Sequence, residues 1–412
     1  MNRTDHTTSD RYSEKAKDYH RHQRRAGFLA AFLTTAFLFL LLVSGWTFAL
    51  GDLARQVPGG PAVWVLVYVS LAALILQVFT LPVRVYSGYV VEKKFGLLNQ
   101  SLRAFWLDLV KARLVSLVLV LTAAETLYLM ILLAGAWWWL PAAAVFAGFY
   151  VLLAYIAPVL LLPIFFKFKK LPDDEFARRL AALCRRAGLP VLGVYEWGLS
   201  TRTKKANAAL AGWGPTRRVI LSDTLLFRFT PLEIEVVVAH ELGHHRLSHT
   251  RLLLFLQGYL TFLAFLLADL VYRLAGPKFG LLLISDLAGL PLLLLTFMAF
   301  SFLMLPLTNL VSRRLEQAAD YFALHLTGLV GPFISALERL TALNLAEMNP
   351  HWLTEILFHS HPSPARRIQA AKDFNRHGGS NDVSPNDTGH DPIQGLNMDS
   401  GREGRGAVNE IH

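Results

Sequence analysis

Apolar residues along this chain gather in long uncharged blocks, too uniformly apolar to be the buried stripes of soluble helices. One block runs from Gly27 to Leu50 and a second from about Val63 to Leu81. Pro82 to Arg113 is mixed: Val83-Arg-Val-Tyr-Ser-Gly-Tyr-Val-Val-Glu-Lys-Lys-Phe-Gly96 precedes Leu102 to Val115, whose spacing predicts an amphipathic helix. Blocks three and four run from about Leu114 to Leu133 and from about Leu140 to Leu162, with Trp137-Trp138-Trp139 between them as an interfacial belt. Block five covers about Leu252 to Leu274, and block six about Leu281 to Leu305 with a bend expected at Pro291. A helix of about 20 apolar residues crosses a bilayer, so the pattern predicts a predominantly α, polytopic membrane protein with about six spans.

The remaining segments are polar. Residues 1–26 form a polar start, 27–163 hold spans one to four with the loop 82–113, and 252–308 hold spans five and six. The insert 164–251 reads as a small α+β domain. Pro172-Asp173-Asp174-Glu175 opens a helix to about Ala187, Gly188-Leu-Pro190 ends it, and Val191 to Glu196 reads as a strand. Lys204 to Leu221 reads as a hairpin around Gly212 to Thr216. Residues 309–374 read as further helices, the first from Asn309 to Leu329. The tail 375–412, rich in Gly, Asn, Asp and Ser, cannot bury a core and reads as disordered.

Composition agrees: 54% of the 412 residues are hydrophobic and 17% charged. A formal charge of +10 raises nucleic acid as a partner, but the basic residues flank the apolar blocks and follow no nucleic-acid motif, so no nucleic acid is expected. Topology accounts for them. The Arg cluster before block one, the 82–113 segment, the 164–251 insert and Ser312-Arg-Arg fall on one side. The opposite loops carry little beyond Arg55, Arg273 and Lys278. The positive-inside rule then places both termini and the insert in the cytosol. Cys184 is the single cysteine, which excludes an intrachain disulfide and a thiolate-rich metal site.

The insert carries the chemistry. In Val236-Val-Val-Ala-His240-Glu241-Leu-Gly-His244, two histidines four apart share a helix face and can reach one zinc ion. Glu241 beside them can act as general base. Thr230, Pro231 and Glu233 form a capping box in front of that helix. A hydrolytic zinc site takes a third protein ligand, and Glu316 is the best candidate, with Asp320 one turn on to accept the ring N–H of a zinc-bound histidine. The alternative is that these carboxylates only pair with Arg313 and Arg314 on a solvated helix. His245 and His249 lie off the two-histidine face.

The chain resembles the type I CAAX prenyl endopeptidases, integral-membrane gluzincin zinc proteases. The resemblance rests on Val90-Val-Glu-Lys-Lys-Phe-Gly96, Pro163-Ile-Phe-Phe-Lys-Phe-Lys-Lys-Leu171, Asn207-Ala-Ala, Arg218-Val-Ile-Leu-Ser-Asp-Thr-Leu-Leu226, His240-Glu-Leu-Gly-His244 with His249, Glu316-x-x-x-Asp320 and His361-Pro-Ser-Pro-Ala-Arg-Arg367. It implies a barrel-like chamber of helices, one Zn2+ per chain held by His240, His244 and Glu316, Glu241 as base and acid, and Asp320 behind the ligands. It further implies that Asn207 and Ala208 belong to an edge strand that pairs with substrate, and that His361 and Arg367 contact substrate and its oxyanion. The family has seven spans in its eukaryotic members; six are read here. The implied substrate is a peptide or protein, prenylated or membrane-associated, at the cytosolic face of a bacterial inner membrane or eukaryotic endoplasmic reticulum. By residues alone, the Asn207 stretch reads equally as an ordinary hairpin, and His361 as an exposed turn residue.

Three rival readings stand beside this one. A heat-shock-type membrane zinc protease shares the site logic. An intramembrane protease would bury the motif in a span, against the charged Glu233, Glu235 and Arg246 around it. A non-enzymatic scaffold would carry a relic site. Glu125, Gln257, Asp269 and Asp286 fall in or near apolar blocks, where they either line a water-filled chamber or pair near the interfaces.

Overall fold

A computed structural model describes residues 3–212 and 214–377. Among the described residues six helices are long and apolar enough to cross a membrane. Four precede the insert: α1 (Arg3–Val43), α3 (Pro61–Val85), α4 (Leu102–Ala134) and α5 (Trp139–Ile156), with the short α2 (Trp46–Arg55) after α1. In the insert lie α6 (Glu175–Arg186) and α7 (Pro231–Arg246). The spans α8 (His249–Ala275) and α9 (Leu290–Thr327) follow, then α10 (Val330–Asn344), α11 (Trp352–Phe358) and α12 (Pro364–Arg376).

The spanning helices close into a ring in which α1 touches α3, α3 touches α4, α4 touches α5, α5 touches α8, α8 touches α9, and α9 returns to α1. One end of the ring is plugged. Leu42, Tyr68, Val69, Tyr128, Ile131, Trp138, Ala142, Phe265, Ala268 and Leu293 pack into one core, all from the helix halves that adjoin α2 and the 276–289 segment. Polar contacts seal that end: Thr47 Oγ1 lies 2.7 Å from the Tyr68 hydroxyl and donates to the Ala288 carbonyl at 2.9 Å. The other helix halves, toward the insert, contribute little to this core; on that side Ala16, Tyr19, Val91, Phe95, Leu97 and Leu345 form a separate buried cluster.

The four polar residues of the apolar blocks divide. Asp269 accepts from Trp138 Nε1 at 2.8 Å and pairs with Arg273, and Asp286 pairs with Arg55 at 2.9 Å, so both are satisfied near the plugged end. Glu125 Oε1 is buried without a partner among the described residues, which leaves Glu125 and Gln257 as the polar groups open to the chamber reading.

Several elements run longer than their apolar blocks. The amphipathic stretch from Leu102 is the first part of α4, started by Ser101, whose side chain accepts the Ala104 N–H. The polar start continues unbroken into the first span as α1, and the stretch from Asn309 continues span six as α9. Thirty-eight residues make α9 about 57 Å long, enough to cross the hydrocarbon and project well beyond it. Pro291 produces no bend. It sits in the first turn of α9, where a missing N–H breaks no hydrogen bond, and residues 281–286 are not helical. The disorder expected for 375–412 falls outside the described residues except at its start, where α12 continues to Arg376.

The insert folds around a four-stranded sheet in the order β1 (Phe168–Lys170), β2 (Gly193–Trp197), β4 (Arg218–Ser222), β3 (Ala208–Ala211). β3 and β4 form the expected hairpin, β2 lies parallel to β4, and β3 is an edge. Leu180, Leu183, Cys184, Val194, Leu221, Leu225, Val238 and Leu242 form the core between sheet and helices. The capping box of α7 is present: Thr230 Oγ1 accepts the Glu233 N–H, and Glu233 Oε2 accepts the Thr230 N–H at 2.8 Å. Thr230→Ala should lower the opening free energy of this helix start by about 1 kcal/mol, measured by hydrogen exchange of the Glu233 amide; unchanged protection would show that tertiary packing alone holds it.

Candidate active site

His240 and His244 face Glu316 across the crossing of α7 and α9. The two Nε2 atoms are 3.2 Å apart, His240 Nε2 is 3.2 Å from Glu316 Oε2, and His244 Nε2 is 3.3 Å from Glu316 Oε1. These are the only three described residues grouped closely enough to hold a metal ion, their donor atoms all lying within 4.8 Å. A tetrahedral zinc shell with bonds of about 2.0–2.1 Å spaces its donors by about 3.3–3.4 Å. The spacings of the two imidazole nitrogens from each other and from the Glu316 carboxylate match that shell, His240 facing Oε2 and His244 facing Oε1.

That crossing depends on a glycine. A Cβ at Gly243 would lie 3.1 Å from Ala319 Cα and 3.2 Å from the Ala319 carbonyl oxygen, so even an alanine there would require α7 and α9 to give by a few tenths of an ångström.

Behind the donors, His240 Nδ1 lies 2.9 Å from Asp320 Oδ1. Arg367, from the first turn of α12, donates to both Asp320 oxygens at 2.6 and 2.7 Å. The guanidinium expected to contact substrate thus commits two of its donors to Asp320, although Arg367 still lines the cleft. His244 Nδ1 is 3.0 Å from His249 Nδ1, so His249, off the motif face in sequence, stands behind His244 because the chain reverses at Ser248 (φ 57°). His245 Nε2 lies 2.9 Å from the Leu210 carbonyl oxygen, tying the metal helix to β3.

Electrostatics favour a cation between α7 and α9. Burial opposes a charged His240, but Asp320 and Glu316 overcome it and push its pKa up to about 9. Burial raises the Glu241 carboxyl above its ordinary value, against the pull of His240 and His244. The Arg367 guanidinium stays charged: burial works against it, and Asp320 more than compensates.

A cleft of about 160 Å3 joins the parts. Glu241, His361 and Arg367 line it beside the donors, Asn207 and Ala208 form one wall, and Val236, Phe333 and Leu337 give it an apolar side. His361 comes from the loop before α12 and, though largely exposed, brings Nδ1 to 2.8 Å from Glu316 Oε2. The Ser222 N–H donates to the Asn207 carbonyl, so by antiparallel alternation the main-chain groups of Ala208 and Leu210 point away from β4; of these the Ala208 N–H donates to Asn207 Oδ1 and the Leu210 carbonyl faces His245, which leaves the Ala208 carbonyl and the Leu210 N–H on the outer edge of β3.

Residues 170–375 match the family model of peptidase family M48, and residues 3–167 match the model described as CAAX prenyl protease N-terminal, five membrane helices. The chain belongs to peptidase family M48. Within 3–167 it has four helices that meet the length and hydropathy of a span, with α2 between the first two. It is 31% identical over 311 residues to the metalloprotease YhfN of Bacillus subtilis, covering 74% of this chain and 72% of that one. It is 30% identical over 297 residues to CAAX prenyl protease 1 homolog of Arabidopsis thaliana, 71% and 70% of the two chains. The crystal structure of S. mikatae Ste24p shares the fold, with a TM-score of 0.78 over 88% of this chain and 89% of that chain at 23% identity. This M48 chain is an integral, multi-pass membrane zinc metalloendopeptidase.

Asp320→Asn keeps the size of the side chain and removes its charge from both His240 and Arg367. It should weaken zinc binding by about 10–100-fold, the usual cost of losing an outer partner, read by competition with a metallochromic chelator. Wild-type affinity in this variant would remove Asp320 from the metal centre.

Proposed function

We propose that this enzyme cleaves membrane-associated peptides, prenylated C-terminal peptides foremost, at the cytosolic face of its membrane. The observation that carries the reading is the position of the donor triangle. It sits on the insert side of the helix ring, in a cleft walled by Asn207 and Ala208 at the sheet-edge strand β3 and by the apolar Val236, Phe333 and Leu337, which suits an extended peptide presented from the membrane. The relatives named CAAX prenyl protease 1 support the substrate class. The charge distribution supports the cytosolic side: Arg24, Arg25, Lys93, Lys94 and Arg103 flank the site end. At the plugged end Arg55 and Arg273 are already paired with Asp286 and Asp269.

His240, His244 and Glu316 hold the ion, and Asp320 fixes His240 by accepting its Nδ1–H, itself held by Arg367. When bound there, zinc would supply Lewis acidity for water and for the scissile carbonyl. Glu241 takes the proton from the attacking water and returns it to the leaving amine. His361 donates to the carbonyl oxygen as charge develops there. Asn207 and Ala208 align the peptide by adding it to the outer edge of β3, and the apolar side of the cleft receives an aliphatic side chain next to the cut bond.

The test uses full-length enzyme in liposomes with two internally quenched peptides, one farnesylated at its C-terminal cysteine and one unprenylated. Membrane partition of the lipid should raise kcat/KM for the farnesylated peptide by about tenfold or more. Equal kcat/KM for the twins would overturn the prenylated class and leave unmodified membrane peptides as the substrate.

A further inference from the structure

The polar start of α1 makes contacts that spanning a membrane does not require. The Tyr19 hydroxyl, buried, donates to Glu92 Oε1 at 2.5 Å. It accepts from Lys205 Nζ at 2.9 Å, and Lys205 Nζ lies 3.2 Å from Glu92 Oε2. Gln23 Nε2 adds a 3.0 Å bond to Glu92 and a 3.2 Å bond to the Ser87 carbonyl. Two parts of the membrane ring thus meet on one lysine: α1, through Tyr19, and Glu92 just after the π-helical turn Tyr86–Val91, which Gln23 ties to α1.

Lys205 stands three residues before the first residue of β3. The chain leading into that strand is gripped on every side. Lys204 N–H donates to the Leu97 carbonyl and Asn99 N–H to the Arg202 carbonyl, each at 2.9 Å, while the Arg202 guanidinium pairs with Asp108 of α4 at 2.8 Å. From the insert side, Asn344 at the end of α10 accepts the Ala206 N–H at 3.0 Å and donates to the Ala206 carbonyl at 3.2 Å. α1 also reaches the loop after α10: His20 Nε2 lies 2.9 Å from the Leu345 carbonyl oxygen, and Arg24 pairs with Glu347 at 2.7 Å. One face of α1 therefore holds both the start of β3 and the loop beside Asn344.

We propose that Tyr19, Glu92 and Lys205 are a positioning unit that sets the open edge of β3 relative to the membrane ring, so that peptide binding depends on the polar start of the first spanning helix. The proposal rests on the reading of β3 as the strand that pairs with substrate. None of the three lines the cleft, so each acts through the strand. The unit is shielded enough to matter: with side chains of Glu92 and Lys205 only 14% and 32% exposed, removing either partner leaves the other charge poorly compensated, and the strand start is freed to move. A displacement of about 1 Å in a substrate-aligning element costs rate or affinity by up to about a hundredfold.

The experiment compares Tyr19→Phe, Glu92→Gln, Lys205→Met, Lys205→Arg, the Glu92→Gln/Lys205→Met pair, and Asn207→Ala in full-length protein, using the unprenylated quenched peptide. Each of the first three should raise KM by about tenfold with kcat within about twofold, and the pair should be no worse than its worse member. Lys205→Arg should recover most of the loss, and zinc should remain at one per chain. Hydrogen exchange supplies a readout without turnover: β3 amides should lose protection in Tyr19→Phe while α7 amides keep theirs. Unchanged KM and β3 protection in Tyr19→Phe and Glu92→Gln would overturn the proposal. So would a KM effect confined to Lys205→Met, which would make Lys205 a direct substrate contact. If Asn207→Ala raises KM while the three do not, the positioning unit fails and the strand reading stands. If Asn207→Ala also leaves KM unchanged, the strand reading itself has failed.

Discussion

Glu241→Gln is expected to lower kcat by about three orders of magnitude while one zinc per chain remains bound, within the range general acid–base catalysis contributes. The substitution keeps the shape of the side chain and removes its basicity. Glu241 is not among the three donors, so metal content should not follow activity. KM should stay within about threefold, because a group that acts in the transition state leaves ground-state binding alone. Steady-state kinetics and elemental analysis on one preparation check both halves. Full activity that remains sensitive to chelators would assign the base elsewhere.

Glu316→Ala is expected to remove the metal. It takes away a donor that bridges two imidazoles at 3.2 and 3.3 Å and leaves two ligands from a single helix. The loss of zinc affinity should exceed the roughly hundredfold upper cost of losing an outer partner, so Glu316→Ala should purify with little zinc where Asp320→Asn keeps it at saturating metal. Activity should fall with the zinc, and Glu316→Asp should fail to restore it, because the shorter carboxylate cannot reach both histidines. Stoichiometric zinc in Glu316→Ala would move the third ligand to another residue.

Much of this geometry is legible in residue spacing. The capping box before His240, the i, i+4 pairs His240/His244 and Glu316/Asp320, and the hairpin of β3 and β4 each follow from a local rule, and the structure contains all three. Spacing could not show that α9 is continuous. Leu305 ends an apolar block, and the change to polar residues reads as a boundary, yet a helix that leaves a membrane keeps its backbone bonds while only its surroundings change. The same confusion split α1 and α4. β1 was not expected, because three residues are too few to show alternation. Contacts across long sequence distance were equally hidden: nothing local links Tyr19 to Lys205, or Asn344 to Ala206. His249 could have been suspected only by foreseeing the left-handed Ser248 that turns it back toward His244.

The spanning pair α8 and α9 explains why a membrane fold carries this chemistry. The two histidines close the insert just before α8, and Glu316 lies on α9 beyond its apolar part, so the membrane hairpin brings the candidate metal donors together from either side of the 71 residues between His244 and Glu316. Gly243 then allows the close crossing at which the donors meet.

Zinc-edge X-ray absorption of the purified full-length enzyme tests this account most directly. A site built from His240, His244 and Glu316 predicts one zinc per chain in a shell of nitrogen and oxygen at about 2.0–2.1 Å, with imidazole scattering from two histidines and no sulfur. A shell with sulfur, or an imidazole signal unchanged in His240→Ala, would contradict it.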